Sequence, residues 1–217
     1  MLSSPMSEFI PVFLCFLYAT SSNARDWRGG FASLGRTDPT FTYAHCELQP
    51  TTEVVDHRAE QITGRIEFRQ PLAVFTRGWL EVRVHIEGLP LDDGILNYGL
   101  HVHEFGDLRD GCESTGGHYN PYGNEHGGPT VENRHAGDFG NVVKNRAGGV
   151  SKYFLDRVAS LTGPYSIVGR SIVLKAREDD LGLGGNPSSR VTGSSGGRVA
   201  CCVIGHSNGQ SWRGSTI

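Results

Sequence analysis

The stretch from His101 to Asp138, HVHEFGDLRDGCESTGGHYNPYGNEHGGPTVENRHAGD, constrains this 217-residue chain more than any other. Five of the nine histidines, His101, His103, His118, His126 and His135, lie within it, and Asp138 closes it. Imidazole and carboxylate recurring at short, irregular spacing through a glycine-rich segment is the pattern of a metal site. His101 and His103 stand two residues apart, so on a strand both project from one face. The other donors are spread along a loop able to wrap around an ion. Solvated loop histidines would account for one or two such residues, not for an ordered run of six donors.

Outside that stretch the chain reads as strands separated by turns, with 30 glycines and 10 prolines. Trp79 to Leu89, WLEVRVHIEGL, is the clearest strand. It places Leu80, Val82, Val84 and Ile86 on one face and Glu81, Arg83, His85 and Glu87 on the other, which leaves His85 on the wet side. Further strands are expected at Phe41–Leu48, Ile62–Arg69, Asn97–Glu104, Phe139–Lys144, Tyr153–Leu161, Ser166–Ala176 and Val199–Ile204. Roughly eight strands predict an all-β domain, a sandwich or a small barrel. Glu178 to Arg198 is a second Gly/Ser-rich loop. A formal charge of −3 without a Lys/Arg tract argues against nucleic-acid binding. No apolar run reaches the ~20 residues of a membrane-spanning helix.

The N-terminus reads as an address. Phe9 to Tyr18 is a short apolar run, and Ala19, Thr20, Ser21 and Ser22 follow as small residues suited to signal-peptidase cleavage. A signal peptide over 1–22 and a flexible segment over 23–40 are expected, then a domain over 41–206 and a short tail over 207–217. Cleavage would remove Glu8 and Cys15, taking the charge from −3 to −2 and leaving Cys46, Cys112, Cys201 and Cys202. Four cysteines allow three pairings, and a bridge between neighbours Cys201 and Cys202 is the most strained. On a strand those neighbours face opposite sides. An oxidising compartment fits this set, with reduced buried thiols in a cytosolic protein as the alternative.

The runs HVHEFGD, GHYNP, EHGGP and RHAGDFGN, then GRSIV, EDDLGLGGN and GGRVACCVIG, closely resemble the copper/zinc superoxide dismutases. CESTG at Cys112, the doubled Cys201–Cys202 and the cysteine in AHCELQP are similar to the secreted, extracellular branch. The resemblance covers roughly residues 40 to 206. It implies an eight-stranded Greek-key β-barrel with zinc and copper held outside it by two long loops, and conversion of superoxide to oxygen and hydrogen peroxide. By the same resemblance His118, His126, His135 and Asp138 match zinc ligands, and His101, His103 and His118 match copper ligands. His118 then bridges the two metals and delivers a proton when its copper bond breaks. Arg198 matches the arginine that guides the anion, and Asp179 the carboxylate that supports ligands of both metals. The resemblance also implies Cys112–Cys201 and Cys46–Cys202 disulfides and a homodimer, with neither membrane nor nucleic acid as partner.

One position departs from that pattern. The family has a further copper histidine in the strand before EDDLG, and here the strand reads SIVLKAREDDLG, with Lys175 in its place. Copper(II) prefers four nitrogen donors in a tetragonal arrangement. Lysine ligates only after losing a proton it ordinarily holds up to pH ~10.4. Three outcomes follow: copper cycling on three histidines, a three-coordinate copper(I) that cycles poorly, or a barrel stapled by zinc with the copper position empty or taken by zinc. The expectation is a secreted, antioxidant superoxide dismutase weakened by Lys175, and the alternative is a silent zinc or copper carrier or interaction protein on the same scaffold. His206, beyond the last strand, is a weak substitute ligand. Between Leu181 and Arg198 the only charges are Arg190 and Arg198, which predicts a positive local field. SWRGSTI carries no basic heparin-binding tail, and Asn186-Pro187-Ser188 is barred from glycosylation by its proline, so a diffusible protein is expected.

Overall fold

The computed structural model describes residues 40–51, 61–72 and 78–214. The expected signal peptide, with Glu8 and Cys15, lies outside them, as does the segment 23–40 except Thr40. Among the described residues the strands are β1 Phe41–Pro50, β2 Thr63–Pro71, β3 Leu80–Glu87, β4 Asn97–His103, β5 Asp138–Val143, β6 Val150–Asp156, β7 Ser171–Lys175, β8 Arg198–Val203 and β9 Gly205–Ser207. Among the described residues the helical elements include α1 Ser189–Thr192, α2 Gln210–Gly214 and a 3-10 turn at Glu113–Thr115.

Eight strands follow the antiparallel order β5-β4-β7-β8-β1-β2-β3-β6, with β9 added to β1. The β4–β7, β1–β8 and β3–β6 neighbours are not consecutive in the chain, so long connections cross the ends of the sheet as in a Greek key. The two open edges, β5 and β6, come together, and Lys152 Nζ donates to the Asn141 carbonyl across them at 2.6 Å. The result is a nearly closed barrel.

Two strands differ from the sequence expectation by three residues or more at an end, and the others by one or two. β6 begins at Val150 rather than Tyr153 and ends at Asp156 rather than Leu161. Its end is set by the Asp156 carboxylate, which accepts the N–H groups of Val158 and Ala159 at 2.8 and 2.7 Å and turns the chain. β7 begins at Ser171 rather than Ser166, because Ser166 Oγ accepts the Val168 N–H and the Ile167 carbonyl accepts the Arg170 N–H. Residues 207–214, expected as a tail, pack on the barrel: Trp212 is buried, with the guanidinium of Arg83 4.0 Å and that of Arg69 4.9 Å from its ring centre.

Strand alternation decides what faces the interior. Leu100 and Val102 of β4, Ile172 and Leu174 of β7, and Ala200 and Cys202 of β8 join Ile66, Phe68, Leu80, Val82 and Ile86 in one apolar core. Fully burying each large aliphatic side chain contributes roughly 1.5–3 kcal/mol. The alternate residues, His101, His103, Val173, Lys175 and Cys201, point outward under the long loops. Neighbouring cysteines thus diverge as their strand position requires: Cys202 bonds Cys46 inside the core, and Cys201 bonds Cys112 of the loop. Val173 packs with that outer pair.

Candidate metal centre

The β4–β5 loop folds back over the outer face of β4. Val102 accepts from the Tyr119 N–H at 2.8 Å and donates to the Gly137 carbonyl at 2.9 Å, while His103 and His118 form an isolated bridge. Gly140, at φ +72°, allows the extra residue of a bulge that brings Asp138 opposite His101. His118, His126 and His135 then present Nδ1 atoms 3.0, 2.9 and 3.2 Å from one oxygen, Asp138 Oδ1. Donors set around a tetrahedral zinc lie ~3.3 Å apart. The Nδ1 atoms of His126 and His135 are buried and lie this close to the oxygen without the geometry of a full hydrogen bond. With His118 and Asp138 they bring ligand atoms within 4.8 Å of one another. This is the donor set of a closed zinc site, three imidazoles and a carboxylate, and it fits the ion. Asp138 Oδ2 is meanwhile fixed by the N–H groups of Gly127 and His135.

A second cluster adjoins it. His101, His103 and His118 bring ligand atoms within 4.8 Å of one another. His101 Nδ1, His103 Nε2 and His118 Nε2 are all buried without hydrogen-bond partners. Their other nitrogens are held: His103 Nδ1 by the Gly116 carbonyl at 2.9 Å, and His101 Nε2 by Asp179 Oδ2 at 2.8 Å. The second oxygen of Asp179 takes His126 Nε2, also at 2.8 Å, so one carboxylate clamps a histidine of each cluster. Outer partners of this kind fix ring orientation and tautomer. Gly193, at φ +65°, is required beneath it, since a Cβ there would stand 1.9 Å from Asp179 Oδ1. Three free imidazole nitrogens around one space suit copper, in keeping with the preference of that metal for nitrogen donors.

The electrostatics favour a bound cation. Burial pulls His101 and His103 below their ordinary pKa, and it takes His118, with its neighbour His101, down to about 3. Burial would raise Asp138 and Asp179, but the histidines set against each hold both well below the carboxylate range. His126 is the exception: burial lowers it, yet Asp138 and Asp179 outweigh that and lift it to about 9. His101, His103 and His118 are therefore neutral and both carboxylates ionised, the forms that ligate, and a metal would displace the His126 proton.

Lys175 lies where a fourth nitrogen ligand would come from β7. A bulge pairs it with Arg198 of β8, and burial followed by the charge of Arg198 brings its pKa down to about 8. Arg198 is anchored on the loop, donating from Nη1 to Cys112 O, Glu113 O and Thr115 Oγ1 and from Nη2 to Gly116 O. Gly116 O thus serves both Arg198 and His103. The field is less positive than the second loop alone suggests, because Glu125 pairs with Arg190 at 3.4 Å and Glu113 lies 3.6 Å from Arg198. His206 is exposed on β9, away from both clusters, and cannot substitute. His85 is exposed beside Glu87, as its strand face predicts. Sequence reasoning missed Gly116, Asn141 and Arg134. Asn141 exchanges hydrogen bonds with the Asp179 backbone, and buried Arg134 holds the His135 carbonyl and pairs with Asp156. Only the density of polar residues around the histidines hinted at them.

Residues 62–204 match the family model described as copper/zinc superoxide dismutase. The chain is 46% identical over 179 residues to the extracellular superoxide dismutase [Cu-Zn] of Rattus norvegicus, spanning 82% of this chain and 69% of that protein. It is 43% identical over 170 residues to the Homo sapiens extracellular enzyme, spanning 78% and 66%. Over 107 residues it is 54% identical to the superoxide dismutase [Cu-Zn] of Cryptococcus neoformans var. grubii, spanning 49% and 70%. The chain belongs to the copper/zinc superoxide dismutase family. Its two clusters, the disulfide that ties the loop and the nearly closed barrel are those of a copper/zinc superoxide dismutase fold, and zinc and copper are the metals its donors suit. The chain spans about two thirds of the length of the extracellular relatives.

Proposed function

We propose that this chain is a secreted superoxide dismutase that works at a copper position of three histidines beside a complete zinc site. The observation that carries the reading is His118, whose Nδ1 belongs to one cluster and whose Nε2 belongs to the other. His118, His126, His135 and Asp138 would hold zinc, and His101, His103 and His118 would hold copper. Copper, when bound, supplies the one-electron exchange by which two superoxide ions and two protons become oxygen and hydrogen peroxide. Arg198, fixed on four loop acceptors, binds and orients the anion. His118 Nε2 takes up and gives a proton on the copper side while Asp138 keeps its Nδ1 in register. Asp179 and Gly116 O stop His101 and His103 from turning. The extracellular relatives and the two disulfides put the chain in an oxidising compartment. Residues 1–22 serve as signal peptide, and the first residue of the secreted protein, read by intact mass, should be Asn23. A homodimer that passes a heparin column at low salt completes the reading, with light scattering as the check on its size.

Lys175 favours a second reading, a metal carrier without turnover. Dismutation per bound copper, measured beside Lys175→His, separates the two. A slow but clear natural rate that rises ~10–100-fold in the variant supports a dismutase limited by its missing ligand; a silent natural form with an active variant supports the carrier.

A further inference from the structure

Two tyrosines outside the metal centre stand against each other. Tyr122 and Tyr165 are 42% and 47% exposed, yet their rings meet edge to face, with centres 5.3 Å apart and planes at 75°. Such a contact contributes ~0.5–1.5 kcal/mol, enough to keep the pair together while each ring retains an open side. Neither hydroxyl has a hydrogen-bond partner among the described residues. The other tyrosines there are differently placed: Tyr43, Tyr98 and Tyr119 are buried, and the Tyr153 hydroxyl donates to Glu81 at 2.9 Å.

Each ring is presented by its own backbone. Asn120 closes a turn, donating from Nδ2 to the Asn124 carbonyl at 2.8 Å and accepting the Asn124 N–H on Oδ1 at 3.1 Å. Gly123, at φ +67°, supplies the left-handed step of that turn. Tyr122 stands on it, four residues from His118 on one side and from His126 on the other, and lines an open cleft with Glu132 and Arg157. Tyr165 belongs to the β6–β7 connection, where the Ser166 N–H reaches the Gly163 carbonyl at 3.2 Å and Ser166 Oγ the Leu161 carbonyl at 2.9 Å. Leu161 and Ile167 root that connection in the core. A segment carrying the zinc-side donors thus touches one fixed to the barrel.

We propose that Tyr122 and Tyr165 form an oxidative crosslinking site, joined as dityrosine by one-electron oxidants outside the cell, which staples the zinc loop to the barrel. Each phenol gives one electron and one proton to the oxidant. The two radicals couple through the ring carbons beside their hydroxyls, and the hydrogens on those carbons shift back to oxygen. Two tyrosines and one hydrogen peroxide become one dityrosine and two waters, with a haem peroxidase carrying the electrons singly. Rings already in contact couple with each other before they meet a second molecule. Exposed side chains rotate within picoseconds to nanoseconds, so the edge-to-face pair reaches the coupling geometry without unfolding. The site stands independently of the dismutase reading, because the crosslink needs neither copper nor turnover.

The test uses the full chain loaded with zinc alone, in dilute solution with equimolar hydrogen peroxide and a haem peroxidase. The monomer should lose the mass of two hydrogens and gain dityrosine fluorescence, and digestion should yield one peptide pair joined through Tyr122 and Tyr165. Tyr122→Phe and Tyr165→Phe, which keep both rings and so the packing, should each abolish the crosslink, while Tyr153→Phe should leave it. The joined chain should release zinc to a chelator ~10-fold more slowly than the untreated chain, because the staple removes freedom from the opened loop. Dityrosine that survives either variant, that forms only between molecules, or that fails to form at all would overturn the site. An unchanged rate of zinc release would overturn the staple.

Discussion

The two metal clusters meet at His118 but are built in opposite ways. Every zinc-side donor comes from the segment between His118 and Asp138, which has little apolar core of its own. The copper-side donors His101 and His103, with Lys175 at the fourth position, sit on β4 and β7, held by sheet hydrogen bonds over a packed interior. The zinc half therefore depends on its ion for order, while the copper half is positioned by the barrel. A ligand lost from a strand costs chemistry and leaves the scaffold standing, which is how Lys175 can occupy its place in an intact fold. A ligand lost from the loop would cost structure.

The largest effect should expose that asymmetry directly. Asp138→Ala should lose zinc and lower unfolding free energy by on the order of 5 kcal/mol, while His103→Ala changes it by less than about 1 kcal/mol. Equal losses in chemical denaturation would break the distinction. Next come the disulfides. Removing either should cost about 2–5 kcal/mol. Only the Cys112→Ser/Cys201→Ser pair should also slow dismutation, because that bridge holds the loop on which Arg198 is anchored. A comparable kinetic defect in Cys46→Ser/Cys202→Ser would contradict this. A smaller effect is expected for Gly193→Ala, which displaces the carboxylate clamping both halves; zinc affinity, read by competition with a chelator, should fall ~10-fold.

The smallest serves as a control away from both metals. Burial would raise Asp93, but the bonds from Lys144 and Tyr98 hold it below its ordinary value of 3.8. The unfolded chain then binds the proton more readily, so this pair stabilises the fold fully above about pH 4 and progressively less as pH falls below it. Asp93→Asn should cost about 1 kcal/mol at pH 7, and the gap to the natural chain should close in acid. A gap independent of pH would show that the charge of Asp93 contributes nothing.

Much of this was legible in the residues. Alternation in Trp79–Leu89 set the inner and outer faces of β3, and the spacing of His101 and His103 put both on one face. The opposed directions of Cys201 and Cys202 followed from the same period of two. What escaped depended on backbone hydrogen bonds that have no hydrophobic signature. The Asp156 turn that ends β6 is one, and the bulges that set Asp138 against His101 and Lys175 against Arg198 are others. The neutralising effect of Glu113 and Glu125 was hidden because they belong to a different loop from the arginines they face.

The adjacent cysteines of β8 also give the chain a nested covalent topology. Cys46–Cys202 closes a ring across 156 positions, and Cys112–Cys201 closes one of 89 positions inside it. One peptide bond cut anywhere between Cys46 and Cys202 therefore releases no fragment, even at Leu183, which is 83% exposed in the second loop. Outside the cell, where proteases act on such loops, a molecule nicked between Cys112 and Cys201 stays one molecule until a reductant reaches both bridges.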